Sequence, residues 1–349
     1  AKRFQRRPVH LMENTKLGSQ TFRPGRPPTI IGHGSAAGYK ESQGPLGRHF
    51  DHTCKDDTFG EKSWEMAESQ MQQLALDAAL KRAGLHTPDL DLLLAGDLLN
   101  QCIGSSFAAR QASVPYLGLY GACSTMGESL ALAALLLAGG YGRYAAAVTS
   151  SHFCSAERQY RTPLEYGGQR APTAQWTATA AGALVLAAEG KTGPAVTCVT
   201  IGKVVDKGIK DANNMGAAMA PSAYDTLKAH FEDTGRGPDY YDLIVTGDLG
   251  KLGWEIVMEF FSQDGTPLSN YSDCGLLLFD LKEQDVHSGG SGCGCSAAVL
   301  CAHLIPGLLA GRWKRVLFCP TGALLSPTST QQGESIPGVC HAVALEGGH

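Results

Sequence analysis

The sequence predicts an α/β protein built from one large β/α unit present twice. Three observations predict it. Short apolar runs of strand length alternate with helical stretches from residue 28 to residue 149. The same order recurs in the second half. Part of that recurrence is visible residue by residue. Leu93-Leu94-Ala95-Gly96-Asp97-Leu98 has a counterpart in Ile244-Val245-Thr246-Gly247-Asp248-Leu249, and Ala122-Cys123-Ser124 has one in Gly294-Cys295-Ser296. At the same spacing as the second match, Ala138-Gly139 pairs with Ala310-Gly311, Tyr141 with Trp313, and Arg143 with Arg315. Self-similarity over this range indicates duplication of a whole unit, packed as a pseudo-twofold core with two buried helices at its centre.

The elements follow in order. A β-branched run at Pro28–Gly32 reads as the first strand. Residues 63–84 read as a helix, capped by Ser63, with Trp64, Met71, Leu74, Ala78 and Leu80 as its apolar stripe. Asp91–Ala95 has the continuous apolar look of a strand buried on both faces. A short helix at Gly104–Ala112 leads to a strand at Tyr116–Tyr120. Cys123–Leu137 is an Ala/Leu-rich helix stopped by Gly139-Gly140, and a strand at Tyr144–Thr149 follows. Asp211-Ala212-Asn213-Asn214 resembles part of a calcium loop but lacks its glycine and glutamate, so it reads as a turn before a helix at 218–232.

Composition bounds the function. The 349 residues are 43% apolar and 18% charged, a folded globular profile. A net charge of −4 argues against wrapping on nucleic acid. Eleven cysteines, odd in number and set in apolar runs, fit buried thiols in a reducing compartment, and Cys293-Gly-Cys295 is too tight for zinc. No cofactor and no metal is expected. The longest apolar stretch is about half of the ~20 residues a membrane span needs, and no secretory signal is visible. Residues 1–26 carry seven basic side chains and one acid, and read as a basic, partly disordered extension, either solvated or touching anionic lipid or an acidic partner. Two halves, 27–190 and 191–349, follow it.

Cys123 stands at a strand-to-helix junction, where the helix dipole favours a thiolate and Gly121 lets the chain turn sharply. That suits a nucleophile for acyl transfer. It equally suits a small buried residue packed where two central helices meet.

A duplicated Cys-Ser-helix unit resembles the thiolase and β-ketoacyl synthase superfamily, whose nucleophilic cysteine occupies the position of Cys123. Within it the chain resembles the stage V sporulation protein AD family of spore-forming bacteria. The resemblance rests on Leu94–Gln101, Gly121–Thr125, Thr149–His152, Ala156–Gln159, Glu165–Gln169, Met215–Pro221, Thr246–Leu249, Gly289–Ser296 and Thr321–Pro327. It covers about residues 28–345. It implies a thiolase-like fold in five αβαβα layers, with two mixed sheets around central helices.

The residues depart from a condensing enzyme. Such an enzyme needs an acid/base histidine and a second His or Asn facing the cysteine. Val245-Thr246-Gly247-Asp248 supplies no histidine, and Gly290-Ser291-Gly292-Cys293 offers only Ser291 and thiols. A carboxylate such as Asp248 near the sulfur raises the thiol pKa. The resemblance therefore implies a pseudoenzyme that binds dipicolinic acid (pyridine-2,6-dicarboxylate), alone or as its calcium chelate. It would support uptake into the developing spore, with a link to spore germination, from a peripheral place on the spore inner membrane beside other stage V sporulation A membrane proteins. Many thiolase relatives pair through the sheet edge, so a homodimer is in view.

Asp97, Cys123, His152, Arg158, Asp248, Ser291 and Cys295 are the candidate ligand-binding residues, with Arg161 beside Arg158 as a further cation. His152 also reads as a hydrogen-bonded structural histidine, and the two arginines as surface or interface ion pairs. His303, within an apolar helix at 295–311, reads as a packed core histidine. Two other readings remain: an active acyltransferase using Cys123, and a scaffold that binds only proteins.

Overall fold

The computed structural model describes residues 13–160 and 170–348. The chain enters as a hairpin of β1 (Thr15–Leu17) and β2 (Thr21–Arg23), so from Thr15 onward the segment read as a partly disordered extension is folded. The amides of Ser19, Gln20 and Thr21 donate to the carboxylate of Asp233 at 2.8–2.9 Å, and Thr21 Oγ1 meets Thr200 Oγ1 at 2.8 Å in the interior. Residues 1–12 lie outside the described part.

The first half contributes β3 (Thr29–Ala37), β4 (His52–Thr53), β5 (Leu92–Gly96), β6 (Tyr116–Gly118), β7 (Tyr144–Ser151), β8 (Trp176–Thr177) and β9 (Ala180–Ala187). The second contributes β10 (Ala195–Thr200), β11 (Leu243–Thr246), β12 (Tyr271–Asp273), β13 (Gly290–Ser291), β14 (Arg315–Cys319), β15 (Thr321–Ala323), β16 (Gly338–Cys340) and β17 (Ala342–Glu346). The main strands run in the order β3-β9-β7-β5-β6 and β10-β17-β14-β11-β12. In each set the first two pairings are antiparallel and the last two parallel. The duplication read from the sequence is thus a duplication of topology, and both sheets are mixed. The two sets touch edge to edge through one residue pair, Thr29 with Ala195.

The helices are α1 (Tyr39–Ser42), α2 (Trp64–Ala83), α3 (Ile103–Ala112), α4 (Thr125–Ala138), α5 (Phe153–Tyr160), α6 (Met215–Thr234), α7 (Gly250–Gln263), α8 (Cys274–Leu278), α9 (Cys293–Val299), α10 (Ile305–Leu309) and α11 (Pro327–Gln331). Ser63 caps α2 by accepting from the amide of Met66, and left-handed Gly84 ends it. Helix α6 starts at Met215, earlier than its apolar pattern suggests, because Asn214 caps it. Between α9 and α10, Leu300–Leu304 winds as a π-helical turn. The wider turn precedes Pro306, which has no amide to donate and would crowd a regular α-helix.

Five layers result. Helices α2 and α3 cover one sheet with a core of Met71, Ala75, Leu80, Leu93 and Val185. Helices α6 and α7 cover the other with Met219, Leu227, Ile244, Val257 and Leu317. Between the sheets lies the central layer of α4 and α9–α10, where Met126, Leu130, Leu184, Val299, Phe318 and Val343 form one cluster. Every residue of β9 is buried, as expected of a strand covered on both faces. The approach there is close: a Cβ on Gly182 would lie 2.3 Å from the carbonyl oxygen of Ala297. Gly182→Ala is therefore expected to destabilise the fold by about 1–3 kcal/mol, the usual cost of overpacking a core. A thermal or urea melt at fixed pH checks this, and an unchanged midpoint would mean that α9 moves freely against β9.

Candidate functional site

Strand ends and helix starts from both halves meet at one place. Cys123 lies two residues before α4, buried with 7% of its surface exposed. The sharp turn that presents it is made at Ala122, with φ +50°, and not at the neighbouring Gly121. Two hydroxyls hold that conformation: Ser124 Oγ donates to the Gly121 carbonyl at 2.7 Å and Thr125 Oγ1 to the Ala122 carbonyl at 2.6 Å. The Thr321–Ala323 strand packs against the same turn; a Cβ on Gly322 would sit 2.3 Å from the Gly121 oxygen.

Asp248 closes the site from the second half. It is fully buried, and its carboxylate accepts from Thr321 Oγ1 at 3.1 Å, Ser291 Oγ at 3.2 Å and the Gly292 amide at 2.9 Å. The charge of the same carboxylate acts on the Cys123 thiol. Burial first, and the Asp248 charge second, push the thiol well above its ordinary range, so the sulfur keeps its proton. Burial likewise raises Asp248, and the donors around it pull it back. Beside the cysteine the site therefore holds a buried carboxylate that disfavours the thiolate. Beneath it, Gln175 Nε2 donates to the carbonyls of Asp248 at 2.5 Å and Gly290 at 2.8 Å.

In front of Cys123 is a narrow cavity in which about 60 Å³ is open to the centres of water molecules. Leu98, Tyr120, Ala156, Tyr160, Met215 and Leu325 form most of its apolar wall, and Cys123, Ser291, Thr177 and Glu157 supply its polar atoms. The Tyr120 and Tyr160 hydroxyls meet at 2.7 Å, and Tyr160 Oη also donates to the Leu98 carbonyl at 2.6 Å. No lysine, arginine or histidine lines it among the described residues. A roomier groove of about 180 Å³ lies on the outer face beside Gln72, Leu76 and Gln111, away from the strand ends that carry this chemistry.

Of the residues singled out in the sequence, Cys123 and Ser291 line the cavity and Asp248 stands directly behind them. The others lie elsewhere. Asp97 is fully buried and turned into its own loop, accepting from the amides of Leu99 (2.8 Å) and Ser105 (2.7 Å) and from Ser105 Oγ (2.6 Å). His152 is buried; its Nε2 donates to the Asp57 carbonyl at 2.5 Å and its Nδ1 accepts from the Cys154 amide at 3.2 Å, which fixes a neutral ring. Arg158 is half-exposed, paired with Glu65 and placed over the Trp64 ring. Cys295 is packed in the core, its thiol 3.8 Å from the Gly247 carbonyl. Arg161 lies outside the described residues. His303 is a half-buried partner of Trp313, their rings 5.4 Å apart. The cavity tyrosines were missed by reading polar residues alone; the spacing of Ala156 and Tyr160, one helical turn apart on α5, was the available signal.

A model of the family described as stage V sporulation protein AD matches residues 18–346. The chain belongs to that family. The stage V sporulation protein AD of Bacillus subtilis (strain 168) is 47% identical over 330 residues, covering 94% of this chain and 97% of that protein. Solved structures share the fold at much lower identity. The 3-oxoacyl-[acyl-carrier-protein] synthase III of Aquifex aeolicus VF5 is 14% identical with a TM-score of 0.57, over 91% of this chain and 99% of that one. A crystal structure of Xanthomonas campestris OleA is 14% identical with a TM-score of 0.59, over 95% of this chain and 100% of that one. The family's chain thus carries the layered α/β fold of thiolase-like synthases, and no described helix is long and apolar enough to cross a membrane.

Asp248→Asn removes the charge facing the thiol while leaving its burial in place. Cys123 is expected to alkylate faster with iodoacetamide, about tenfold for each pKa unit recovered. Mass-spectrometric mapping of the adduct across pH checks this, and an identical rate profile in both proteins would show that Asp248 does not restrain the sulfur.

Proposed function

We propose that this member of the family is a non-catalytic binder of dipicolinic acid that supports its uptake into the developing spore. We place it peripherally at the spore inner membrane, beside other stage V sporulation A membrane proteins. The observation that carries the reading is the buried carboxylate of Asp248 beside Cys123. A cavity of the synthase fold is kept, yet burial and the Asp248 charge hold its cysteine as a thiol where condensing chemistry needs a thiolate. Family membership supplies the sporulation context.

The cavity wall favours the calcium chelate over the free dianion. The chelate carries its own cation, so a wall whose described residues are mostly apolar can take it without supplying a charge. Calcium neutralises the ligand and takes carboxylate oxygen readily. The Tyr120, Tyr160 and Ser291 protons are engaged by Tyr160, Leu98 and Asp248, so these hydroxyls offer lone pairs, which suit a cation better than a dianion.

Titration calorimetry of the purified chain with dipicolinic acid, with and without calcium, tests the reading. Saturable binding is expected, stronger with calcium, and weakened in Cys123→Ala and in the cavity-filling Ala323→Leu. Incubation with acyl-CoA is expected to leave no adduct on Cys123. Acylation of Cys123 without dipicolinate binding would make the chain an acyltransferase. Neither binding nor acylation, with membrane-protein partners still retained, would make it a scaffold.

A further inference from the structure

The duplicated halves share a feature that the cavity does not use. Tyr141-Gly142-Arg143 and Trp313-Lys314-Arg315 occupy equivalent places, each after a central helix and at the entry to a strand. The sheet register brings them to one end of the molecule. Tyr144 stands opposite Ala187, Ala187 opposite Thr29, and Thr29 opposite Ala195. Ala195 stands opposite Glu346, and Glu346 opposite Arg315. This unbroken row ties the start of β7 to the start of β14 across both sheets. The cavity lies at the other end of these strands. Helix α4, with its 14 residues, puts about 20 Å between the Cys123 turn and this row.

Both turns are pinned in the same way. Asp91 Oδ2 accepts from the amides of Arg143 at 2.6 Å and Tyr144 at 3.0 Å. Asp242 Oδ2 accepts from the amides of Lys314 at 2.6 Å and Arg315 at 2.8 Å. So fixed, the turns present apolar and cationic side chains together. Tyr141 is 74% exposed, the most of any large apolar side chain described, and Leu309, the last residue of α10, is 57% exposed. Trp313 is half-buried against the His303 ring. Arg143, Arg312 and Lys314 are exposed, as is Lys191 on the adjoining turn between β9 and β10. None of these four cations pairs with a carboxylate among the described residues. The nearby acids have partners of their own: Asp91 and Asp242 hold the turns, and Glu189 pairs with Arg26 at 2.7 Å.

The N-terminal segment adds charge at the same place. Asn14 Nδ2 donates to the carbonyl of Ala138, the last residue of α4, at 3.0 Å, and Asn14 Oδ1 accepts from the Gly25 amide at 2.8 Å. Residues 1–12 therefore join the fold beside residues 139–141. They carry Lys2, Arg3, Arg6 and Arg7 and no acid.

This combination suits one kind of partner. Tyrosine and tryptophan favour the boundary between water and bilayer, where an apolar ring and a polar tip are both satisfied. Lysine and arginine beside them reach anionic headgroups, and a polybasic segment strengthens the attraction. An acidic protein would account for the cations but leave Tyr141 and Leu309 without a role. A bilayer surface accounts for both.

We propose that this end of the molecule, formed by the C-terminal ends of α4 and α10 together with residues 1–12, is a docking face for an anionic lipid bilayer. The proposal rests on the peripheral placement given above and specifies it. Docked in this way, the chain turns its cavity away from the membrane and towards water, where ligand can enter while the chain stays bound.

The test is flotation of the full chain with vesicles of phosphatidylcholine, with and without about 30% phosphatidylglycerol. Three variants are compared with it: Tyr141→Ser with Leu309→Ser; Arg312→Gln with Lys314→Gln; and Lys2→Gln, Arg3→Gln, Arg6→Gln and Arg7→Gln combined. The unmodified chain is expected to float with the anionic vesicles only, and to be released as salt rises from about 0.1 M to about 0.5 M. Each cation replaced is expected to weaken partitioning about fivefold. The double serine variant is expected to weaken it about tenfold or more, since two apolar side chains no longer leave water. Melting temperatures are expected to stay unchanged, because these side chains are exposed. Amide exchange with vesicles present is expected to slow at residues 139–143 and 309–314 and to stay the same at 120–125.

No flotation with anionic vesicles overturns the proposal, and so does protection that appears at 120–125 instead. Retention on immobilised polyglutamate, with flotation unaffected in the double serine variant, overturns it in favour of an acidic protein partner. Calorimetry with dipicolinic acid and calcium on the same variants keeps the two readings apart, since the cavity is remote from every substituted residue. Dipicolinate binding without flotation defeats the docking face alone, and flotation without dipicolinate binding defeats the functional reading alone.

Discussion

The burial of two helices between two sheets is the constraint on which the rest of the structure depends. A layer enclosed on both sides has no water to satisfy a polar atom, so each group that enters it needs a partner within the protein. It also leaves little space, which small residues answer. Gly182 and Gly294 bring β9 and the start of α9 into backbone contact, since a Cβ on either would lie 2.2–2.3 Å from a carbonyl oxygen of the other element. Alanine and leucine fill most of what remains of α4.

The functional site is where that layer ends. The two central helices begin at the carboxyl ends of the strands, so turns, helix starts and acids following Gly-Asp converge there from both halves. The duplicated acids then diverge. Asp97 is used up by its own loop, whereas Asp248 accepts from Ser291 and Thr321 and its charge acts on the thiol of Cys123. Symmetry-related positions carry different work because their neighbours differ: Ser105 on α3 stands against one, and the cysteine turn against the other.

Acids rather than bases dominate this interior. Glu68, Asp97 and Asp248 are all buried, and burial raises the pKa of each. Around such a cluster a cysteine stays a thiol. A site of this kind is suited to hydrogen bonding; generating a thiolate nucleophile is uphill in it.

By itself the sequence determined the duplication, the alternation of strands and helices, the placing of Cys123 before a central helix, and the absence of a histidine where Asp248 stands. These are local patterns or repeated strings, readable because side-chain period and chain order are written along the chain. The tertiary structure alone decided which polar residues meet. Asp97, His152 and Arg158 looked like Asp248 and Ser291 in sequence, yet backbone amides claim the first, a carbonyl the second and Glu65 the third. The hairpin at 15–23 was hidden for the same reason: its anchor, Asp233, lies more than 200 residues away. Partnership between distant residues is set by packing, and a single chain carries no local mark of it.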